Sequence, residues 1–441
     1  MPDTGLGDSH FQDEDDKSAM EVDNKMLVTV KNHTILPKTA TAIKGPRSVK
    51  NQKAIKTLFK AIDSFVQDSQ LSVWDDRDSF IASVNRISAK SKKDQLDAFL
   101  SNPQFSGFFV EQWADFSTDF SGFNDENRKS KGMEAFEKEI CAPCRLLVSE
   151  LEHVVLPQSE VSFQVTLLNN KRLEDATAVI SIIDPNGEKV LDSKTITPEE
   201  QTGKTCLTQF GVCTLTAPRN TGMFKIKATL KSADKEVHSS TEDLIVVGQA
   251  SVKEAMNNVC FLDNSEESSD AIAALEGAEK VIFTANLSSW PDEILDKIVD
   301  VVKNGGKTLL LSDMTEEDIE FFNQSEHFDC KIESHWSSGA NGTSIHYLPK
   351  DSGLLSVFGG ENVLDHNASA VLPTLSLNEL PGSTVFARSV SIKDGEIKTG
   401  IDLQMLPFGK GKIMFNQFSI FEGLETNALA DSLFTAIVNM L

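Results

Sequence analysis

Asn102-Pro103-Gln104-Phe105-Ser106-Gly107-Phe108-Phe109-Val110-Glu111-Gln112-Trp113-Ala114-Asp115 sets a short aromatic and β-branched run between a turn dipeptide and a Trp flanked by carboxylates. Phe105 to Val110 reads as one buried strand, because a run this short and this rich in Phe packs on a pleated surface. Asn102-Pro103 ends whatever element precedes it. A lone strand leaves both backbone edges unpaired, so the segment belongs to an α/β layer whose remainder lies elsewhere. Glu111, Trp113 and Asp115 stand at the strand end. A flat apolar ring beside carboxylate acceptors is what a sugar site needs, one for the C–H face of the ring and the other for its hydroxyls. The same three residues also describe a packed Trp with solvated acids.

Upstream, Ile55, Leu58, Phe59, Ile62, Phe65 and Val66 fall on one stripe at helical spacing, with Lys53, Lys56 and Lys60 outside it. A second helix from about Asp78 to Leu100 repeats the pattern through Ile81, Val84, Ile87, Leu96 and Phe99. Both need a surface, and the Phe105 to Val110 strand hints at one. Residues 1–25 carry eight acids against two lysines, and Lys31 to Lys60 carries eight basic residues and no acid. Residues 1–50 are therefore expected to be a disordered leader, acidic and then basic. The basic part reads as a solvated linker and helix face, the other reading being a patch for an acidic partner.

Downstream, from Arg145 to Gly248, the apolar period switches to two. Val161, Phe163, Val165 and Leu167 alternate with polar neighbours, as do Phe224, Ile226, Ala228 and Leu230. Asp184-Pro185-Asn186-Gly187 is a strong turn signal. About seven short strands in about 100 residues predict an immunoglobulin-type β-sandwich. From Val259 onward, strands and helices take turns, which predicts a doubly wound parallel sheet. Its strands fall at Cys260 to Leu262, Lys280 to Ala285, Lys307 to Ser312 and Lys412 to Phe418. Its helices fall at Pro291 to Lys303, Glu316 to Asn323 and Thr426 to Met440, and Thr384 to Met405 reads as a hairpin inserted before the last strand.

Several motifs resemble chemistry without its context. Cys141-Ala142-Pro143-Cys144 has redox or zinc spacing, but it sits between a helix and a strand with no second Cys/His pair. Gly305-Gly306-Lys307-Thr308 looks like the tail of a phosphate loop, yet a helix leads into it and a strand leaves, the reverse of an anion-binding helix N-terminus. Glycines capping a helix explain it, and Gly409-Lys410-Gly411 is likewise a turn. There is no Gly-x-Cys-x-Gly or Gly-x-Ser-x-Gly elbow, so Cys260 and Cys330 are not presented as nucleophiles. His327, His335 and His346 form no metal-binding pair. No cofactor and no metal are expected.

At 441 residues the chain predicts two or three domains, and its 40% apolar and 24% charged shares are those of a globular protein. Lys and Arg total 42 against 66 Asp and Glu, a net charge of -24 that opposes nucleic-acid and anionic membrane partners. Six cysteines without repeated spacing predict reduced thiols. The start lacks a signal-peptide pattern and the chain lacks a long apolar run, so a cytoplasmic location is expected.

The 102–115 stretch resembles the last barrel strand of glycoside hydrolase family 2, the β-galactosidases, β-glucuronidases and β-mannosidases. Asn124 to Lys131 and Met133 to Ile140 resemble the passage into that barrel's final helix. Gly409-Lys410-Gly411-Lys412-Ile413-Met414-Phe415 and its closing helix resemble the amidotransferase-like domain that larger members append. The resemblance runs in domain order over residues 50–441, and its specific stretches are 102–115 and 409–440.

By this resemblance, residues 51–140 are a TIM-barrel C-terminal remnant, 141–250 an immunoglobulin-like sandwich, and 255–441 a flavodoxin-like, class I amidotransferase-like domain without a catalytic elbow. It implies hydrolysis of O-glycosyl bonds by a retaining β-glycosidase, which uses two glutamates about 5 Å apart. Neither glutamate has a counterpart here, so catalysis would need the missing barrel, supplied by another chain or left out by an incomplete gene model. Trp113 carries over as ring platform and Asp115 as polar wall. Glu111, an acid where the family usually has an aromatic residue nearby, is the third substrate-binding candidate. The alternative is a non-catalytic carbohydrate-binding or protein-interaction module.

Overall fold

The computed structural model describes residues 19–22, 25–31, 46–68, 70–102, 105–111, 113–115, 122–125, 127–169, 172–199, 207–257, 259–262, 273–275, 277–278, 280–283, 289–328, 330–337, 343–393 and 396–441. Near the start, β1 (Ala19–Val22) and β2 (Lys25–Lys31) form an antiparallel pair. Helices α1 (Pro46–Gln67) and α2 (Arg77–Leu100) then lead to β3 (Phe105–Glu111), which lies parallel to β2 with Leu27 opposite Gly107 and Val30 opposite Val110. A parallel neighbour needs such a crossover, and the two helices supply it.

Two expectations are corrected here. Residues 1–50 are not wholly an unstructured leader, because Met26 to Val30 is a β-capable run that the surrounding acids outnumber. The 105–110 strand is not alone, since β2 pairs with it. The barrel reading also meets a limit: β1 runs antiparallel, whereas a TIM barrel is parallel throughout, and the sheet is three-stranded among the described residues.

The N-terminus of α2 is fixed by a capping box in which Asp76 accepts from the Ser79 amide at 2.7 Å and Ser79 Oγ accepts from the Asp76 amide at 3.2 Å. The apolar stripe read from the sequence is buried, but the expected surface is corrected. Ile55, Leu58, Phe59, Ile62 and Phe65 pack with Phe80, Ile81 and Val84 against Ile345, Tyr347, Val390 and Ile392 of the C-terminal domain. Phe65, Trp74, Phe80 and Tyr347 form an aromatic knot, with Trp74 and Phe80 edge-to-face at 4.9 Å. Tyr347 donates its hydroxyl to the carbonyl of Leu71. The other end of α2 and α3 (Glu134–Ile140) share a second small core of Leu96, Phe123, Met133 and Ile140.

The sandwich forms as predicted in kind. One sheet orders β5 (Val154–Val155), β11 (Lys235–Val246), β10 (Gly222–Ser232), β7 (Thr177–Ile183) and β8 (Val190–Ile196). The other orders β4 (Cys144–Ser149), β6 (Glu160–Asn169) and β9 (Leu207–Thr216). Inward residues of both, such as Phe163, Val165, Ile180, Ile226 and Leu244, meet in one core. The Asp184 turn joins β7 to β8, its carboxylate accepting from the amides of Glu188 and Lys189 at 2.7 and 2.9 Å.

The last domain is a mixed sheet covered on both faces. β12 (Val259–Leu262), β13 (Lys280–Phe283), β14 (Thr308–Ser312) and β21 (Gly411–Asn416) run parallel in that spatial order. Beyond β21 the sheet turns antiparallel through β20 (Glu396–Phe408), β19 (Thr384–Lys393), β16 (Thr343–Tyr347) and β17 (Val363–Leu364). β15 (Ser334–Ser337) and β18 (Leu375–Leu377) pair at the side. Val281, Leu309, Leu311 and Phe415 face the helices Asp292–Lys303 and Glu316–Gln324, while Ile282, Leu310 and Met414 face the helix Ala428–Met440.

The expected parallel sheet is thus corrected to a mixed one, and the 384–405 hairpin is part of that sheet because β20 zips directly onto β21. The flavodoxin-like expectation fails on strand order. Among the described residues, β12, β13 and β14 lie side by side in chain order, without the reversal that creates a ligand crevice at a switch point. Gly411 sits where an added Cβ would come within 2.1 Å of the Lys307 carbonyl, so that glycine serves close backbone packing.

Candidate functional site

β3 ends at Glu111, whose side chain lies outside the described residues, and the chain then turns at Trp113. This loop is built from backbone bonds. Asn124 donates its amide to the Trp113 carbonyl at 3.1 Å and accepts from the Asp115 amide at 2.9 Å. Its side-chain nitrogen also reaches the Trp113 carbonyl, at 3.2 Å. Lys131 places its ammonium 2.5 Å from Asp115 Oδ1, and the Gly122 amide donates to the same oxygen at 3.1 Å. The neighbouring Asp125 ties its own turn, accepting from the amides of Asn127 and Lys129.

Trp113 is the consequence of this frame. The residue is 60% exposed, and its ring meets Phe123 at a near-perpendicular angle, centroids 5.9 Å apart. Phe123 is buried and meets Phe136 in the same manner. The three sequence candidates therefore separate. Trp113 is largely in solvent, Asp115 is committed to Lys131, and the Glu111 side chain is outside the described set. Asp115 as an open polar wall is corrected: a carboxylate this buried is held by its cation.

Lys92 lies beneath the same loop. Its ammonium sits 4.7 Å from the centre of the Phe123 ring, is almost wholly buried and makes no hydrogen bond among the described residues. Burial pulls its pKa down to about 7. Sequence reading missed this residue, because Lys92-Lys93-Asp94 looks like an ordinary charged helix face.

An ionic cluster where α2 meets the sandwich was equally unannounced. Lys93 pairs with Asp97 at 3.1 Å and with Glu242 of β11. Arg145 of β4 reaches Asp97 at 2.5 Å. Lys90 bridges Asp243 of β11 and Asp365 of the last domain, the latter at 3.2 Å. Burial disfavours the charged form of Lys93, but Asp97 and Glu242 outweigh it and hold its pKa above the usual lysine range. The only sequence signal was charge at three- and four-residue spacing along α2.

The remaining motifs behave structurally. Cys141 is exposed and Cys144 begins β4, both as free thiols, with burial raising the pKa of Cys144. Gly306 adopts a φ of 75° and its amide caps Val302 at the end of the helix Asp292–Lys303. His346 is buried against Asp402 at 2.9 Å, which also accepts from Ser376, so it belongs to a polar core. Among the described residues there is no cluster of three or more potential metal ligands. Nor is any helix there long and apolar enough to cross a membrane.

No protein-family model and no curated protein matches the chain. Solved structures with partial likeness include a β-D-mannosidase from Dictyoglomus thermophilum, at 12% identity and a TM-score of 0.31, covering 49% of this chain and 26% of that one. A glycosyl hydrolase family 2 member from Bacteroides cellulosilyticus matches at 9% identity and a TM-score of 0.19, over 38% of this chain and 24% of its own. The CARDB domain of a Pyrococcus furiosus protein matches at 20% identity and a TM-score of 0.18, over 24% of this chain and 96% of that one. The chain thus spans about a quarter of the two hydrolases. None of the three superposes over enough of the chain to define its fold.

Proposed function

We propose that the chain binds carbohydrate through Trp113, as the C-terminal part of a family 2 glycoside hydrolase-like protein. The observation that carries this reading is a tryptophan 60% exposed on a loop whose base is sealed by a buried ion pair. A planar ring in solvent suits the C–H face of a pyranose. The resemblance of residues 102–115 to a barrel strand end supports the same ligand class.

In this reading Trp113 is the platform and the Asp115–Lys131 pair positions it. Glu111, at the end of β3, is the candidate acceptor for sugar hydroxyls. Retaining hydrolysis requires two opposed carboxyl groups about 5 Å apart, and this reading assigns none of the described residues to that pair.

Affinity electrophoresis through gels holding soluble β-linked glucan, mannan or galactan tests the proposal. Retardation in at least one gel, abolished by Trp113→Ala, is the expected result. Equal mobility of both proteins in every gel would overturn it. The chain alone should show no turnover of chromogenic β-glycosides.

A further inference from the structure

The sandwich carries a groove of about 560 Å³ between the start of β8 and the turn that joins β9 to β10. This volume falls in the range of small-molecule sites, roughly 300–1,000 Å³. Leu191, Pro218 and the nearly buried Phe224 supply its apolar surface. A β-bulge presents Leu191. Ile182 pairs with Asp192 and Ile183 with Val190, so the residue between them is left over and stands 38% exposed. Bulges of this kind re-aim a side chain.

Polar side chains line the same space. Asp192 accepts from the amides of Ser193 and Thr216, each at 2.8 Å, and so ties β8 to the end of β9. Asp184 commits Oδ1 to its own turn, while its Oδ2 accepts no hydrogen bond among the described residues. Arg219 and Asn220 are exposed, and their side chains make no hydrogen bond or ion pair among the described residues. The groove thus offers donors and acceptors that folding leaves unused, beside an apolar patch. Two carboxylates disfavour an anion there, and the guanidinium disfavours a cation. A neutral ligand bearing hydroxyls, each able to donate and to accept, satisfies both kinds of group, and its C–H surface suits Leu191 and Phe224.

We infer that this groove is a second carbohydrate site, one that takes a short neutral saccharide. The ligand class rests in part on the carbohydrate reading of Trp113, but the two sites share no residue. The volume suits a free disaccharide or a chain end, whereas the exposed Trp113 can meet a polymer anywhere along its length. Polymer-laden gels therefore report on Trp113, and a short ligand reports on the groove.

Hydrogen exchange of the full chain, with and without saturating cellobiose, β-linked mannobiose or β-linked galactobiose, locates the ligand. The amides of Lys189, Ser193 and Thr216 are hydrogen-bonded at the groove, and at least one of the three sugars should slow their exchange about threefold. The double variant Arg219→Ala, Asn220→Ala removes no contact of the fold among the described residues and should show no slowing. Unchanged exchange at the groove with all three sugars overturns the inference, as does slowing that persists in the double variant. Slowing confined to residues 113–131 would support Trp113 alone and overturn the groove.

Discussion

Asp115 and Lys131 meet at 2.5 Å with 4% and 1% of their side chains exposed, and this contact locks the two ends of the Trp113 loop together. Removing one partner strands the other charge in a dry site, which costs about 3–5 kcal/mol. Lys131→Met should therefore lower stability by that amount in urea titration. Adding Asp115→Asn should restore most of the loss. A single-variant effect below about 1 kcal/mol, typical of exposed pairs, would show that the pair is solvated.

Lys92 should contribute a pH slope of its own. Its pKa in the folded chain is about 7, below the ordinary lysine value of 10.5, so the unfolded chain holds more protons between those limits. Stability from this group is lowest below pH 7 and rises above it. Lys92→Met should raise stability by about 2 kcal/mol at pH 6, since an apolar side chain avoids burying the charge. The gain should shrink towards pH 9 in the same denaturant titrations.

Phe80 is fully buried in the aromatic knot, 5.6 Å from Phe65 and 4.9 Å from Trp74. Truncation to Ala should cost about 3–5 kcal/mol by loss of burial and by the cavity left. Tyr347→Phe leaves the Leu71 carbonyl without its donor and should cost only about 1 kcal/mol. Thermal melts of the two variants should rank in that order.

Thiol labelling separates connector from redox pair. Iodoacetamide at neutral pH should modify Cys141 first and Cys144 more slowly, because burial keeps the latter protonated. Cys213 and Cys260, both buried, should react only after unfolding. Mass spectrometry of timed samples gives the order. Preferential reaction of Cys144 would point instead to an activated thiol.

Where a pattern is local, the sequence was legible. The stripe Ile55 to Val66 and the alternation Val161 to Leu167 became a buried helix face and a sandwich strand, and Gly305-Gly306 became a helix cap. Pairings between distant segments were not. Nothing in Met26 to Val30 announced a partner about eighty residues away in β3, because strand pairing is satisfied by any complementary edge. The sequence likewise pointed α1 and α2 at the nearest strand, whereas Ile345 and Val390 receive them. At the site, Trp113 was visible as a residue type. The Lys131 partner of Asp115 was not, since an ion pair leaves no periodic trace.

The placement of α1 and α2 over Ile345, Tyr347, Val390 and Ile392 has an evolutionary corollary. One oily strip of the last domain is roofed by helices encoded almost three hundred codons earlier. A gene cut back to the sandwich and the last domain would translate into a sticky product. Recombination can thus move this region between proteins only as an undivided block.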